Sequence, residues 1–351
     1  MEFYSMQKEY FQRILLMQDF KEKFEIFLKN GKKFTCLNNQ TIFDAAKTSG
    51  ISLEHSCLAA RCRSYIVKIK EGSAIDKNFD YVLSLEDKEN NYTLSCNAIP
   101  TSDLILDLED LGECKNFEKN IVPAKIESIY KLNDTVIKVI IRLSPNSNFS
   151  YNSGQYVNIT KGQIKRSYSI ANAYQENGSL TFLIKKYENG LMSNYWFEEA
   201  RINDWLRIEG PIGSFLLRET EIENILFLAT GTGVAPIKAM LEKISESEKH
   251  LSKKYWVFIG ARHQKDLFLN TNEYNVISNL KYIPVLSRGS EDWKGERGYV
   301  QEIVIKYNIP LTNAQVYACG SNDMIESAKK LLIENGLNNK NFFSDAFLAT
   351  N

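Results

Sequence analysis

The strongest limit on the fold is a change in the spacing of apolar residues along the chain. Between residue 124 and about residue 215, apolar and polar residues alternate in short runs separated by Gly and Asn, a pattern typical of antiparallel strands. After Glu223 the pattern becomes a buried strand followed by a helix, several times over. Because parallel strands need such crossovers and antiparallel strands need only hairpins, the sequence predicts an antiparallel six-stranded β-barrel followed by an α/β doubly wound parallel sheet.

The individual elements follow from the same patterns. The predicted barrel strands are 125–130, 136–143, 156–159, 166–170, 180–185 and 205–208. The predicted parallel strands are 224–230, 255–260, 281–286 and 315–319, with helices over 235–245 and 323–334. Ser321 is the predicted cap of the second helix and Gly336 its stop.

A smaller unit precedes the barrel. Short strand-like runs, among them 24–28, 65–69 and 81–85, surround one helix, for which Thr41 with Asp44 forms a capping box and Gly50 a stop. This pattern predicts an α+β unit. The predicted organisation is an N-terminal extension over 1–21, the α+β unit over 22–112, a charged linker over 113–123, the barrel over 124–220 and the doubly wound domain over 221–351.

Charge and hydropathy exclude several kinds of partner. The 351 residues include 43 Lys and Arg against 43 Asp and Glu, so no overall positive charge attracts the chain to nucleic acid or anionic lipid. No apolar run approaches the ~20 residues that a membrane span needs, and the first residues lack the pattern of a secretory signal. The sequence therefore predicts a cytoplasmic protein with no nucleic-acid partner and no membrane span.

A glycine-rich loop lies where a predicted strand turns into a helix. In Gly231-Thr232-Gly233-Val234-Ala235-Pro236, the glycines let the backbone approach a diphosphate, and the helix amides favour its negative charge. For the glycine pair alone, an ordinary tight turn between strand and helix would be the better explanation. The dinucleotide interpretation gains weight from Cys319-Gly320-Ser321 at the end of a later strand, because ligands bind at the carboxyl ends of such strands.

Several short motifs together resemble the ferredoxin-NADP reductase superfamily, in the order expected for that family. They are Gly154-Gln155-Tyr156, Arg166-Ser167-Tyr168-Ser169 (the R-x-Y-S flavin signature), Gly190-Leu191-Met192-Ser193, Gly210-Pro211-Ile212-Gly213, the Gly231 loop and Cys319-Gly320. The resemblance covers nearly the whole chain. It implies an NAD(P)H-dependent oxidoreductase with FAD in the barrel and the nicotinamide dinucleotide on the parallel sheet.

The resemblance also implies roles for individual residues. FAD would be bound by Arg166, Ser167, Tyr168, Ser169, Gly190, Leu191, Met192 and Ser193, and the dinucleotide by Gly231, Thr232, Gly233, Pro236, Cys319, Gly320 and Met324. Ser169 would hydrogen-bond near flavin N5, Cys319 would align the nicotinamide, and Phe347 would shield the flavin until the nicotinamide displaces it. Taken alone, Tyr168 and Phe347 could be core aromatics, and Cys319 a small buried hydrophobe.

The choice between NADH and NADPH depends on Ser287-Arg288. This pair could bind a 2′-phosphate and so indicate NADPH, although an arginine at a strand end is commonly only solvated. Because family members with this domain order mostly use NADH, we expect NADH, with NADPH as the alternative.

The N-terminal α+β unit resembles the β-grasp fold of plant-type ferredoxins, which bind a 2Fe-2S cluster with C-x4-C-x2-C and a distant fourth cysteine. The matching positions are Cys57, Cys62 and Cys96, but Tyr65 stands where the third ligand is expected. Ala60 and Arg63 also replace loop glycines that such proteins usually have. The ligand set is therefore incomplete.

Two interpretations of this unit remain open. Either Tyr65, the neighbouring Ser64 or a rearranged group completes an atypical cluster site, or the domain has kept its fold and lost the cluster. Because a ligand and the loop glycines are both replaced, we favour the absence of a conventional cluster. Cys36 and Cys114 lack ligand spacing and are predicted to be structural.

The chain resembles the reductase components of oxygenases and, more closely, the CDP-6-deoxy-glucoseen reductase group of dideoxysugar biosynthesis. The motifs that support the second group are Val285-Leu286-Ser287-Arg288, Trp293-Lys294-Gly295 and Gly298-Tyr299-Val300. It implies electron transfer from NAD(P)H through FAD, and through a cluster where one is present, to a partner protein such as a dehydrase or an oxygenase component. One alternative is a flavin reductase without a cluster that reduces its acceptor directly. The other is a non-catalytic partner subunit in which the flavin site survives only as a fold.

Overall fold

The computed structural model describes residues 22–53, 66–78, 83–111, 117–246, 251–269 and 274–346. By its internal contacts the chain divides into two units, Met1–Cys114 and Lys115–Asn351. The predicted N-terminal extension, residues 1–21, lies outside the described residues. Among the helices that are described, none is both long enough and apolar enough to span a membrane.

The first unit is a β-grasp α+β fold, as predicted. Its strands are β1 (Lys23–Leu28), β2 (Lys33–Leu37), β3 (Ile66–Glu71), β4 (Ala74–Asp76), β5 (Tyr92–Leu94), β6 (Ala98–Pro100) and β7 (Leu104–Leu106), and its helices are α1 (Ile42–Thr48) and α2 (Leu85–Glu89). The main sheet has the order β2-β1-β7-β3-β5, with β1 and β7 parallel, and β4 pairs with β6. Alternate residues of β1 and β2 are buried against α1.

Helix caps account for both helices of this unit. The predicted Thr41 cap is confirmed, since Thr41 Oγ1 accepts the Asp44 amide at 3.2 Å. The predicted strand 81–85 is wrong at its described end, because Leu85 begins α2 behind a Ser84–Asp87 capping box. Leu85 is 82% exposed and α2 buries no residue, so the polar cap, rather than apolar spacing, determines this helix.

The second unit begins with the predicted six-stranded antiparallel barrel. Its strands are β8 (Asn120–Lys131), β9 (Val136–Leu143), β10 (Tyr156–Lys161), β11 (Ile164–Ser169), β12 (Ser179–Lys185) and β13 (Trp205–Ile212), and its helix α3 (Leu191–Asn194) continues into a π-helical turn, Tyr195–Glu199. The order is β11-β10-β13-β8-β9-β12. Strand β8 begins at Asn120, inside the segment expected as a linker. Inward-facing Ile126, Val139, Phe182 and Ile208 are fully buried, as the alternation predicts.

The parallel sheet follows in the same unit. Its strands are β14 (Asn224–Thr230), β15 (Lys254–Ala261), β16 (Leu280–Leu286), β17 (Glu296–Arg297), β18 (Ala314–Gly320) and β19 (Phe342–Ala346), and its helices are α4 (Val234–Ser245), α5 (Val300–Lys306) and α6 (Asn322–Glu334). The order is β17-β16-β15-β14-β18-β19, with every neighbouring pair parallel. Separate apolar clusters cover the two faces, which is why β14 and β18 are buried almost throughout.

A charged cluster on the outer face of the barrel centres on Glu209 of β13. Lys119 and Lys165 both pair with its carboxylate, and Asn158 Nδ2 donates to Glu209 Oε2 at 3.3 Å. Burial alone would raise the pKa of Glu209, but the hydrogen bonds from the two lysines outweigh it and lower the pKa to about 2. The ionised carboxylate therefore stabilises the folded barrel.

Replacing Glu209 should remove a pH-dependent part of the stability. Because the folded pKa lies below the ordinary value of 4.5, this contribution is complete above about pH 4.5 and is lost as the pH falls toward 2. We expect Glu209→Gln to lower the free energy of unfolding at neutral pH by on the order of 2 kcal/mol. Urea denaturation of both proteins at a series of pH values measures the difference, which should shrink in acid.

A matched control is Glu127→Gln. Glu127 pairs with Arg142 on the same barrel but is 36% exposed. Its replacement should therefore lower the free energy of unfolding by less than about 1 kcal/mol, as is typical of a surface ion pair. Equal losses in the two variants, or a Glu209 effect that is independent of pH, would contradict the assignment.

Candidate functional site

Strand β11 presents the flavin-signature residues on two faces. Successive side chains of a strand alternate, so Arg166 and Tyr168 share one face and Ser167 lies on the other. Ser167 Oγ donates to Asn158 Oδ1 at 2.7 Å, within the Glu209 cluster. Arg166 is exposed, and its Nη1 donates to the carbonyl of Lys165 at 2.8 Å. The guanidinium fork of an arginine in this position suits phosphate oxygens.

Tyr168 packs against the apolar core of the barrel and lies on the same face of β11 as Arg166. Its ring meets Phe182 and Trp196 edge-on, at centroid distances of 6.4 Å and 6.2 Å. Trp196 Nε1 donates to Tyr168 Oη at 3.0 Å. Burial raises the pKa of Tyr168, so the phenol stays neutral. Sequence reasoning missed Trp196, whose only signal is its place four residues after Met192 in the Gly190 motif.

The Gly190 motif forms the start of α3. Met192 and Ser193 are buried, whereas Leu191 is 63% exposed. Ser193 Oγ accepts the Tyr187 amide at 3.0 Å, so this hydroxyl holds the loop in place and still has its proton to donate. Backbone amides at the start of a helix favour an anion, the property that a flavin diphosphate would use.

The Gly231 loop packs directly on the end of β18. Strands β14 and β18 are parallel neighbours with Ala229 opposite Cys319, so their carboxyl ends lie at one edge of the sheet. A Cβ on Gly233 would lie 2.6 Å from the carbonyl carbon of Cys319, a distance that excludes any other residue. Thr232 is buried, and Pro236 lies in the first turn of α4, where its missing amide costs nothing.

Cys319 and the residues after it complete this edge. Cys319 is fully buried beside Phe215 and Tyr317, and burial, then the charge of Asp345, raises its pKa well above the ordinary value. A thiol that does not ionise suits positioning rather than nucleophilic attack.

The residues after Gly320 begin helix α6. Ser321 Oγ accepts the Met324 amide at 3.4 Å, which confirms the predicted cap of α6, and Met324 is buried.

Asp345 is a further residue at this edge. Strand β19 pairs with β18 so that Asp345 lies opposite Cys319. Burial of the carboxyl raises the pKa of Asp345 to about 7, although part of the residue's surface remains accessible. The pairing of Asp345 with Cys319 could not be predicted, because β19 lacks the continuous apolar run that marks the predicted parallel strands. Phe347, the predicted flavin shield, lies outside the described residues.

At the far end of the parallel sheet, Ser287 and Arg288 follow β16. Their amides donate to the carbonyls of Ala261 and Arg262, each at 3.0 Å, so Arg262 and Arg288 leave adjacent strands side by side. Both arginines are exposed. Arg297 donates to the carbonyls of Gly289, Ser290, Glu291 and Trp293 and thereby fixes the loop that follows.

Of the predicted cluster ligands, Cys96 alone is described, and it lies partly buried in the turn between β5 and β6. Cys57, Cys62 and Tyr65 lie outside the described residues, as does Cys114.

Cys36 is buried and donates through Sγ to the Gln40 carbonyl at 3.4 Å, and burial raises the pKa of its thiol to about 12. The described residues contain no group of three or more His, Cys, Asp or Glu arranged to hold a metal ion.

Three parts of the chain match known protein families in the order of the structural units. Residues 27–101 match the 2Fe-2S iron-sulfur cluster binding domain, residues 123–216 the oxidoreductase FAD-binding domain, and residues 227–330 the oxidoreductase NAD-binding domain. The FAD-binding match on the barrel and the NAD-binding match on the parallel sheet thus define an NAD(P)H-dependent flavin oxidoreductase.

Comparison with individual proteins shows which members of this class the chain is similar to. The chain is 35% identical over 322 residues to CDP-6-deoxy-L-threo-D-glycero-4-hexulose-3-dehydrase reductase of Yersinia pestis, covering 91% of this chain and 96% of that protein. It is 28% identical to phenol hydroxylase P5 protein of Acinetobacter pittii, covering 89% and 90%. The structure of a ferredoxin reductase in carbazole 1,9a-dioxygenase has the same fold, with a TM-score of 0.65 at 21% identity over 93% and 98% of the two chains.

The chain belongs to the family of reductases in which a 2Fe-2S ferredoxin-type domain precedes FAD- and NAD-binding domains. These reductases transfer electrons from NAD(P)H to a partner protein.

Arg166→Ala should weaken FAD binding. If Arg166 contacts the diphosphate, the loss of charge-assisted hydrogen bonds should raise the dissociation constant by about ten- to hundredfold. Fluorescence titration of flavin-free protein with FAD measures it. Arg142→Ala is the control, because Arg142 lies on the same barrel and is engaged by Glu127. Unchanged affinity in Arg166→Ala would count against the assigned contact.

Proposed function

We propose that this reductase supplies electrons to a dehydrase that acts on a CDP-linked sugar. The observation that supports this acceptor most is the 35% identity, over nearly the full length of both chains, to a protein named as the reductase of such a dehydrase. Similarity to oxygenase components is lower, at 28%. An oxygenase component is therefore the second candidate acceptor. We place the reaction in the cytoplasm, where NAD(P)H is available.

The acceptor can be tested directly. With NADH in excess and catalytic amounts of this chain, we expect turnover of a CDP-hexulose dehydrase, followed as loss of its sugar substrate under anaerobic conditions. An oxygenase terminal component, assayed with its own substrate and oxygen, should be reduced much more slowly. Turnover of the oxygenase component alone would replace the dehydrase by the second candidate, and turnover of neither would refute both.

The roles of the site residues are part of this proposal. Arg166 and the amides of Gly190, Leu191 and Met192 bind the flavin diphosphate, Ser193 fixes their loop, and Tyr168 packs against the flavin ring. Ser167 acts through its backbone, since its hydroxyl is engaged by Asn158. Ser169 would hydrogen-bond near flavin N5. These groups fit FAD, because the cationic fork and the loop amides lie on elements that a diphosphate could bridge.

On the other side of the site, the dinucleotide diphosphate would be held by the loop of Gly231, Thr232 and Gly233, and Pro236 helps to start the helix. Cys319, Gly320 and Met324 would position the nicotinamide. Bound FAD supplies the chemistry, since it accepts a hydride and releases electrons one at a time. The protein contributes orientation and the exclusion of water. NADH remains the expected donor, and the adjacent Arg262 and Arg288 are the residues that would favour NADPH.

The donor residues of the ferredoxin-type domain do not fit a conventional 2Fe-2S cluster. Three thiols, Cys57, Cys62 and Cys96, accompany a phenol, Tyr65, which stands where the third of four thiolates is expected. We propose that the domain keeps its fold without a conventional 2Fe-2S cluster. Tyr65 ligation at an atypical site is the alternative, and iron and sulfide analysis distinguishes the two.

Tyr65→Cys should restore the four-thiolate set. After anaerobic reconstitution with iron and sulfide, we expect this variant to retain about two iron atoms and two sulfides per chain, with visible absorbance in addition to the flavin bands, because four thiolates then surround the site. Wild type should retain neither.

The control is Tyr92→Cys, which adds a thiol at the exposed first residue of β5 in the same domain. It should behave like wild type. Stoichiometric iron and sulfide in wild type would overturn the proposed absence of a cluster, and equal metal retention by both variants would show that any added thiol suffices.

A further inference from the structure

One helix connects the two cofactor-binding regions. Helix α4 begins directly after Gly233, in the loop assigned to the dinucleotide, and its later turns pack against the barrel. The contact is close at Gly154, which has a φ of +107°, and where a Cβ would lie 2.5 Å from Met240 Cε. Gly154 precedes Gln155, whose Nε2 donates to the carbonyl of Gly213 at 2.9 Å. The barrel loop and α4 are therefore in direct contact.

Glu242, on the same helix, makes the polar contact across this boundary. Its Oε2 accepts the backbone amide of Ala173, in the barrel, at 2.8 Å, and its Oε1 pairs with Lys238 one turn earlier. The Glu242 side chain is 24% exposed, so the bond is largely shielded from water. From the barrel side, Tyr151 Oη donates to the carbonyl of Ala173 at 2.9 Å. The Ala173 backbone is thus hydrogen-bonded on both sides: its amide by Glu242 of α4, and its carbonyl by Tyr151 of the barrel.

The segment that Glu242 contacts begins at Ser169, a residue proposed above to face the flavin. Ser169 ends β11, and the chain reaches Ala173 four residues later. Between them, the amide of Ile170 donates to the carbonyl of Gln155 at 3.0 Å and that of Ala171 to Thr181 at 2.8 Å. Each of these residues is hydrogen-bonded to a strand or loop of the barrel, so the bond from Glu242 to the Ala173 amide ties α4 to the same framework that holds Ser169.

We propose that Glu242 is a positioning residue that fixes the separation between the flavin and the nicotinamide. It does so by tying α4, which carries the dinucleotide loop at its start, to the segment that follows Ser169. This inference rests on the roles proposed above for Ser169 and the Gly231 loop. Hydride transfer depends steeply on the distance between the reacting atoms, so a shift of the order of 1 Å is enough to slow it.

The test uses the full-length, FAD-loaded protein with Glu242→Ala and Glu242→Gln. We expect Glu242→Ala to slow flavin reduction at saturating NADH by about tenfold or more in anaerobic stopped flow, with the apparent affinity for NADH little changed. Long-wavelength charge-transfer absorbance, which requires stacked flavin and nicotinamide, should weaken in parallel. Glu242→Gln retains an oxygen that accepts the Ala173 amide and should stay within about threefold of wild type.

A second readout does not depend on turnover. Hydrogen exchange at the Ala173 amide should accelerate in Glu242→Ala and remain protected in Glu242→Gln. Glu246→Ala is the matched control, because Glu246 lies one turn later on the same helical segment and pairs with Lys243 at 3.1 Å on the surface, where it is 50% exposed. It should leave the rate, the absorbance band and the exchange unchanged.

The outcomes separate this inference from the proposed function. If wild type is reduced normally and Glu242→Ala behaves like Glu246→Ala, the positioning role is overturned while the function stands. The same conclusion follows if Glu242→Gln is as slow as Glu242→Ala, because charge rather than the amide bond would then matter. If NADH does not reduce the flavin of wild type, the proposed function fails and the role of Glu242 fails with it.

Discussion

Parallel pairing of β14 with β18 builds the edge proposed to receive the nicotinamide, because it places Ala229 opposite Cys319 and so brings both following loops together. The loops then approach so closely that Gly233 has no room for a side chain. Helix α4 begins directly after Gly233, so the packing of this loop against Cys319 sets the direction in which the helix runs toward the barrel. The arrangement of the two cofactor regions therefore derives from one pair of strands and one helix.

Charge is distributed unevenly around this arrangement. The groups expected beside the reacting rings are neutral, since burial keeps Tyr168 and Cys319 protonated. Full charges lie farther out, on Arg166 and in the Glu209 cluster. Hydride transfer needs alignment in a site that excludes water, whereas diphosphates need fixed cations and amides. Asp345 is the exception, because its pKa of about 7 lets its charge change near neutral pH.

Most of the fold could be predicted because its signals are local. Barrel strands such as β9 and β12 alternate between apolar and polar residues, and the predicted parallel strands are largely apolar runs, so both kinds can be found in the sequence. Strands β17 and β19 lie at the two sheet edges and lack such runs, and α2 buries nothing. The motifs indicated the cofactor loops, but Trp196, Glu242 and Asp345 act through partners far away in the sequence. Only tertiary packing brings those partners together.

The ferredoxin-type domain shows why a ligand can change without loss of the fold. Ile26, Leu94 and Leu104 are fully buried in one apolar cluster that includes α1, and β1 is paired on both sides. A structural metal is indispensable where a domain has too little core to fold alone, as in zinc fingers. This domain has a core of its own, so its stability depends on apolar packing rather than on thiolate ligation. Replacing one thiol by Tyr65 therefore alters what the domain can bind more than whether it folds.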